Sequence, residues 1–251
     1  MQNALLKIQR DFFILNLKLG LMRALRGIDY YRLIEYPFAV FLLDLNRRDK
    51  ILDIGSLDSI FPIYLAARST ETYAVDINAK VGVLETLSKS LGISNLRSLV
   101  VDATKMPFPD NFFDKITAIS TIEHVLPVND GDLIVLKEIA RVLRVGGIAV
   151  ITVPYENNFS YEWRNHPIHG RNLRRGYDEV AIKTRLIKQT GLSSKIFYFC
   201  DDTGFWKIWY NFLVFLLAPI SIVFGSVFLR LRTLPLGAKG AIIIFRKDKP
   251  A

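Results

Sequence analysis

The chain has very few residues that could crosslink it. Its 251 residues include one cysteine, Cys200, and three histidines. A single cysteine cannot form an intrachain disulfide, and the sequence has no His/Cys spacing typical of a structural zinc site. We therefore expect a fold in a reducing compartment, without a disulfide framework and without a metal.

Acidic residues are the minority among the charges. Lys and Arg number 33 against 24 Asp and Glu, which gives a formal net charge of +9, and 51% of the residues are hydrophobic. A basic protein favours anionic partners. Because the basic residues flank long apolar stretches, as at membrane interfaces, we expect an anionic lipid surface as the partner and no nucleic acid.

The N-terminal 48 residues are expected to form a helical cap. Charged residues interrupt the apolar positions of 4–26 and no small-residue cleavage site follows, so no secretory signal is predicted. The pattern indicates a helix with basic edges, which is either interfacial or packed over the sheet. A second helix is predicted over 30–45.

Strand and helix patterns alternate from residue 50 onward. The run KILDIG over 50–55 predicts a buried parallel strand that ends in a glycine, and a helical pattern follows over 60–68. Further strands are expected at 72–75, 96–101, 114–119, 148–153, 194–199 and 240–246. A helix over 132–143 is expected to stop at Gly146 and Gly147. This order predicts a doubly wound α/β fold, in which ligands bind outside the carboxyl ends of the strands.

Residues 100–154 carry a specific pattern. They read VVDATKMPFPDNFFDKITAISTIEHV and, after a polar gap, LKEIARVLRVGGIAVITVP. An acid ends one strand, Ile-Glu-His follows the next, and an amphipathic helix leads into another strand. This pattern resembles the second half of a class I S-adenosylmethionine-dependent methyltransferase of the Rossmann-like, type 11 group. The resemblance covers residues 50–192 and 240–247.

The resemblance implies a seven-stranded, mostly parallel sheet whose last strand is antiparallel between strands five and six. It also implies a methyltransferase domain, 49–204 with 238–251, that binds S-adenosylmethionine. Asp76 follows the glycine turn by about 20 residues, where a carboxylate can meet ribose hydroxyls, although it could instead cap the next helix. Asp102 resembles the acid that meets the adenine amino group. The expected cofactor-binding residues are Asp53, Gly55, Ser56, Asp76, Ile77, Asp102, Ala103 and Ser120.

The glycine turn departs from the family pattern. The family shows G-x-G-x-G after the first strand, and this chain has Gly55, Leu57 and Ser59 at those places. The missing glycines would allow positive φ and a close approach of backbone to ligand. Leu57 therefore either points away from the cofactor in a remodelled turn or occludes its methionine end. A non-catalytic membrane adaptor that retains the fold is the alternative function.

Two side chains after strand four are candidates for catalysis. Glu123 and His124 would lie against the sulfonium and could act as an acid/base pair. A Glu at a helix start and a packed His are the structural alternatives. Methyl transfer by direct displacement depends mostly on orientation, so a dedicated base is optional.

Residues 155–177 are expected to form a lid. The stretch is polar and aromatic and longer than twenty residues, and loops of that length usually cover a functional site or are disordered. The aromatic content favours a lid that orders over substrate. The residues assigned to it are Tyr155, Trp163, His166, His169 and Tyr177.

Residues 205–237 are expected to form a hydrophobic insertion between strands six and seven. Residues 212–229 carry no charge, which is close to the length that crosses a bilayer. A crossing would separate the last strand from its sheet, and Pro219 breaks a helix. We expect a helix-break-helix hairpin that is re-entrant at the inner face of the membrane. A dimer interface and a cap over a soluble pocket are the alternatives.

These features predict a cytoplasmic enzyme that is peripherally associated with the membrane. Its expected reaction is methyl transfer to a lipid, a lipid-linked sugar or another hydrophobic small molecule.

Overall fold

The computed structural model describes residues 1–20, 31–166, 170–200, 231–235 and 237–248. The helices are α1 (Gln2–Lys18), α2 (Arg32–Leu43), α3 (Phe61–Ala66), α4 (Val83–Ser90), α5 (Gly131–Val142) and α6 (Glu179–Ala181), with 3-10 turns at Ala79–Gly82 and Ile122–His124 and a π-helix at Ile182–Ile187. The strands are β1 (Lys50–Ile54), β2 (Glu71–Asp76), β3 (Leu96–Val100), β4 (Phe113–Ile119), β5 (Leu143–Pro154), β6 (Ser160–His166), β7 (Gly170–Gly176), β8 (Ser193–Cys200), β9 (Leu231–Arg232) and β10 (Ala238–Arg246).

The central sheet has the doubly wound topology expected from the sequence. Its strand order is β3-β2-β1-β4-β5-β10-β8-β9, and the first five strands in that order are parallel. The chain winds outward from β1 to β3 and then returns to β4 on the other side of β1. The carboxyl ends of β1 and β4 therefore form the switch point at which open α/β sheets bind ligands.

The last long strand is placed as predicted. Strand β10 is antiparallel to both β5 and β8, with Ile243 opposite Ile151 and Ile196. The strand count was wrong by one, because Leu231–Arg232 pairs with β8 and gives an eighth strand. Leu231 lies within residues 205–237, where the sequence predicts a helix-break-helix insertion. Residues 201–230, on which most of that prediction falls, lie outside the described residues.

Gly146 and Gly147 do not end a helix, which corrects the sequence-based expectation. Helix α5 ends at Val142, and Leu143 is already extended. The register against β4 then shifts between Phe113 and the next paired residue, so the two glycines lie in a bulge of β5. Gly146 has a φ of 79°, and its amide donates to the carbonyl of Lys247. Glycine is suited to this position because it has no Cβ to clash at positive φ.

Residues 155–177 contain two paired strands, where the sequence analysis expected a long loop. Strands β6 and β7 pair antiparallel from Ser160 opposite Gly176 to His166 opposite Gly170. The hairpin is missed in the sequence because arginines occupy both faces of β7. One of these arginines, Arg175, is fully buried, so charge does not mark the solvent face here.

The two N-terminal helices pack on one face of the sheet. Buried Phe38 and Leu43 of α2 share a core cluster with Phe12 of α1 and Ile242 of β10. Pro37 lies inside α2 and lacks an amide hydrogen, so the carbonyl four residues earlier loses its helical partner. The side-chain amide of Gln9 donates to that Leu33 carbonyl at 3.0 Å and so joins α1 to α2.

Within the described ranges, no helix is both long and apolar enough to span a membrane.

Candidate functional site

The site is built first on the end of β1. The Asp53 carboxyl is buried and accepts hydrogen bonds from Ser56 Oγ and Thr117 Oγ1, each at 2.6 Å. Burial raises the pKa of Asp53 to about 6. Ser56 lies in the turn after β1 and Thr117 lies in β4, so the Asp53 carboxyl joins that turn to that strand. Its expected part in cofactor binding is therefore to shape the turn.

The turn after β1 keeps glycine-like backbone geometry without the second glycine. Gly55 has a φ of 78°, and a Cβ there would lie 2.2 Å from Thr121 Oγ1. Leu57 has a φ of 45°, in the left-handed region that leucine rarely adopts. Its amide donates to Asp76 Oδ2 at 2.9 Å. Leu57 therefore has a backbone conformation that glycine adopts readily, with a leucine side chain attached.

Asp76 accepts two backbone hydrogen bonds at the end of β2. Its Oδ2 accepts from Leu57 and its Oδ1 accepts from the Asn78 amide at 2.8 Å. Asn78, not Asp76, caps the following 3-10 turn. Each carboxylate oxygen has two lone pairs, so Asp76 retains acceptor capacity for ribose hydroxyls. The neighbouring Ile77 is 74% exposed and available to an adenine face.

Asp102 lies in an exposed turn after β3. Its Oδ1 accepts from both the amide and the hydroxyl of Thr104, at 2.8 Å and 2.7 Å. The adjacent Ala103 is half-buried. The structure thus places Asp76 and Asp102 at the carboxyl ends of neighbouring strands, as the sequence predicted.

Ser120 is tied to a residue that the sequence analysis did not single out. Its hydroxyl donates to Glu35 Oε1 at 2.7 Å, and Thr152 Oγ1 donates to the same oxygen at 2.7 Å. Glu35 comes from α2, is 2% exposed, and forms an ion pair with Arg32. The sequence signal for Glu35 is that it is an acid within the otherwise apolar stretch after Arg32, where no polar helix face could keep it in solvent.

Glu123 is the most perturbed acid at the site. It is 1% exposed, and its Oε2 has no hydrogen-bond partner in the described part of the chain. Burial, reinforced by the Glu35 carboxylate, raises the pKa of Glu123 to about 8. Glu123 is therefore mostly protonated at neutral pH.

His124 is held in one orientation. Its Nδ1 lies 2.6 Å from the carbonyl oxygen of Leu173. A carbonyl only accepts, so Nδ1 carries the hydrogen and Nε2 has the free lone pair. Burial lowers the pKa of His124, which keeps the ring neutral at pH 7. Nε2 lies 3.8 Å from Glu123 Oε1, so the two predicted catalytic residues are neighbours.

The residues expected in the lid separate into different environments. Trp163 is 42% exposed on β6, whereas Tyr155 is half-buried and packs edge-on against Tyr198 at 5.2 Å. Tyr177 is fully buried and donates to Asp132 Oδ2 at 2.9 Å. The His166 side chain and the whole of His169 lie outside the described residues.

The sequence of this region also matches known proteins. Residues 52–151 match the methyltransferase domain family. Over this segment the chain is therefore similar to class I S-adenosylmethionine-dependent methyltransferases.

Curated relatives match over part of their length. The ubiquinone/menaquinone biosynthesis C-methyltransferase UbiE of Azotobacter vinelandii is 32% identical over 148 residues, 56% of this chain and 56% of the relative. The demethylmenaquinone methyltransferase of Mycolicibacterium gilvum is 30% identical over 128 residues, 49% of this chain and 51% of that protein. The chain thus spans about half the length of each.

Solved structures share the fold over a larger part of the chain. The YcgJ protein from Bacillus subtilis has a TM-score of 0.59 at 17% identity, covering 86% of this chain and 99% of that one. Geranyl diphosphate methyltransferase in complex with S-adenosylmethionine has a TM-score of 0.56 at 17% identity and covers 86% of each chain. The [4+2]-cyclase SpnF has a TM-score of 0.60 at 16% identity, covering 86% of this chain and 80% of that one.

The residues at the switch point fit the family's cofactor. S-adenosylmethionine carries a ribose diol, a carboxylate, an ammonium and a sulfonium. Asp76 and Asp102 supply acceptors at two strand ends, and Glu123 has a buried oxygen without a partner. Glu123 is buried and mostly protonated in the ligand-free protein, and a nearby cation would favour its ionisation. The acidic strand ends therefore suit a cofactor that is positively charged at its reacting centre.

Proposed function

We propose that the chain transfers a methyl group from S-adenosylmethionine to a hydrophobic small-molecule acceptor at a membrane surface. The observation that carries the proposal is the set of acids at the carboxyl ends of neighbouring strands, where Asp76 orders the glycine-poor turn through the Leu57 amide. Bound S-adenosylmethionine supplies an electrophilic methyl group. The protein's part is to align the acceptor and to remove a proton where the acceptor must lose one.

His124 is the group best placed to take that proton. Its Nδ1 is occupied by the Leu173 carbonyl, and its Nε2 lone pair is available on a side chain that is 37% exposed. A neutral imidazole with one fixed tautomer is a suitable general base at neutral pH. Glu123 Oε1 lies 3.8 Å from the same Nε2 and, when ionised, would stabilise the imidazolium that forms.

The relatives favour a quinone-like acceptor ring. The curated relatives are named as C-methyltransferases of ubiquinone and menaquinone biosynthesis. Methylation at a ring carbon replaces a C–H bond by a C–C bond, so that hydrogen leaves as a proton and a base is needed. The neutral His124 supports this class of acceptor over one that merely donates a lone pair.

Membrane association rests on residues 201–230, which lie outside the described part of the chain. The ends of that segment are hydrogen-bonded neighbours, because Leu231 pairs with Phe199 and Arg232 with Tyr198. A segment whose two ends meet at one sheet edge must return to the side of the membrane it left. This pairing supports a re-entrant hairpin over a single crossing.

Equilibrium binding of S-adenosylmethionine tests the cofactor assignment. We expect binding to the purified protein and a loss of about 1 to 3 kcal/mol in Asp76→Ala, because the turn loses its backbone partner and the ribose loses an acceptor. Asp110→Asn, in an exposed turn, serves as the control. Unchanged affinity in a folded Asp76→Ala protein would contradict the site. Failure of the wild-type protein to bind would favour the adaptor.

Methylation and topology assays test the remaining parts. Incubation with labelled cofactor and short-chain demethylated hydroquinones, the reduced form whose ring carbon is nucleophilic, should label the ring carbon, and His124→Gln should slow that step. For topology, cysteines introduced at Lys207 and Pro235 in a Cys200→Ser background should be labelled from the same side of sealed vesicles. Opposite accessibility would refute the hairpin.

A further inference from the structure

Helix α2 reaches three strand ends from outside the region that matches the family. The family match begins at residue 52, and α2 ends at Leu43. Its Glu35 accepts from Ser120 after β4 and from Thr152 in β5. Its Tyr36 interacts with Ser59 in the turn after β1. The helix therefore contacts the switch point with polar side chains and not only with its apolar face.

The charges that α2 brings act electrostatically on Glu123. Glu35 and Arg32 form an ion pair, and both act on the Glu123 carboxyl, Glu35 by repulsion and Arg32 by attraction. With Glu123 protonated, this group is neutral overall. A cation that arrives beside it would favour loss of the Glu123 proton, which restores neutrality. A neutral ligand of the same shape would not have that effect.

We propose that Glu35 is a positioning residue that completes the cofactor site and gives it a preference for the positively charged sulfonium over the neutral thioether product. The inference rests on the proposed function, since it requires that the chain binds S-adenosylmethionine. Glu35 acts through the electric field in a poorly screened interior and through its hold on Ser120. Methyl transfer removes the positive charge, so the same carboxylates would bind the product less well.

Two variants that remove charges of opposite sign test the preference for the cofactor over the product. Affinities for S-adenosylmethionine and S-adenosylhomocysteine are measured by calorimetry on the full chain. Glu35→Gln keeps the side-chain shape and removes the negative charge, so it should weaken cofactor binding about tenfold and product binding less than about threefold. Arg32→Gln should shift the ratio of the two affinities in the opposite direction. Glu179→Gln, a surface acid paired with Lys183, should leave the ratio unchanged.

The ratio separates an electrostatic role from a structural one. If Glu35→Gln weakens both ligands equally, the proposal is overturned, because a loosened Ser120 turn would affect both alike. If Glu35→Gln does not fold, two other measurements test the proposal. They are the direction in which Arg32→Gln shifts the ratio of the two affinities and the pH dependence of that ratio in the wild type. No binding of either ligand to the wild-type protein would overturn the proposed function and this inference with it. Binding of both with an unchanged ratio overturns the inference alone.

The pH dependence has a defined sign. The cofactor preference should increase as the pH rises toward 8, since the cation stabilises ionised Glu123 and the neutral product does not. The described charged and titratable groups that face Glu123 are Glu35, Arg32, His124, Arg174, Arg175 and Tyr177. A preference that is flat with pH in the wild type, together with an unchanged ratio in Arg32→Gln, would overturn the proposal.

Discussion

Arg175 is expected to be among the side chains on which the stability of the site depends most. It is fully buried, and its guanidinium donates to the carbonyls of Ile122, Glu123, Val125, Pro127 and Val128. It thereby fixes the hairpin to the turn that carries Glu123 and His124. Asp132 lies 3.8 Å away and balances the charge.

The size of the effect follows from which carbonyls lose a partner. In Arg175→Met the short bonds to Val125, Pro127 and Val128, at 2.7 to 2.9 Å, are removed. A buried unsatisfied group costs about 1 to 3 kcal/mol, but Pro127 is exposed, so water can replace the arginine there. We expect a loss of about 3 kcal/mol in the free energy of unfolding, close to the lower end for breaking a buried ion pair.

Urea unfolding followed by far-UV circular dichroism measures this loss. Arg171→Met is the matched control, because Arg171 lies in the same strand and is exposed, and it should change stability by less than about 0.5 kcal/mol. Arg175→Lys should fall between the two, since an ammonium has three donors against five in a guanidinium. If the free energy of unfolding of Arg175→Met lies within about 1 kcal/mol of the wild-type value, the buried Arg175 guanidinium does not hold the turn.

Two further predictions concern the turn and the buried acids. Leu57→Gly should be more stable than Leu57→Ala by about 1 kcal/mol in urea unfolding, because both lose the side chain and only glycine is unstrained at a φ of 45°; equal stabilities would contradict the strain. The free energy of unfolding of the ligand-free protein should fall as the pH rises from about 4 to 8, because burial raises the pKa of Asp53 to about 6 and of Glu123 to about 8, so that the folded state binds protons more tightly in that window. Glu123→Gln should flatten the upper part of that curve, and a curve that rises over this range would refute the pKa assignments.

The parallel part of the fold was predictable because its signals are local. Buried runs such as Ile51, Leu52 and Ile54 identify strands, and the acids that follow neighbouring strands must meet at one edge of a parallel sheet. The positions of Asp76 and Asp102 therefore followed from their places in the sequence. The order of β5, β10 and β8 came instead from the family resemblance, since antiparallel pairing over that distance has no local signature.

The features that the sequence analysis did not predict depend on buried charged side chains. Arg175 and Glu35 are both less than 3% exposed, although charged residues are usually assigned to the surface. Their partners lie 47 to 53 residues away for Arg175 and 85 and 117 residues away for Glu35, so no local pattern reports them. The hairpin that Arg175 anchors was read as a lid for the same reason.

The glycine turn shows why a missing motif residue need not mean a missing site. Leu57 adopts the left-handed conformation that glycine would have supplied, and its amide is held by Asp76. A strained residue persists where the surrounding contacts determine its conformation. The acid expected to bind the ribose thus also stabilises the turn that lacks its glycine. In this chain the contact between Leu57 and Asp76 joins the ends of β1 and β2 and holds the turn. Asp76 is therefore a better guide to function than the residue type at position 57.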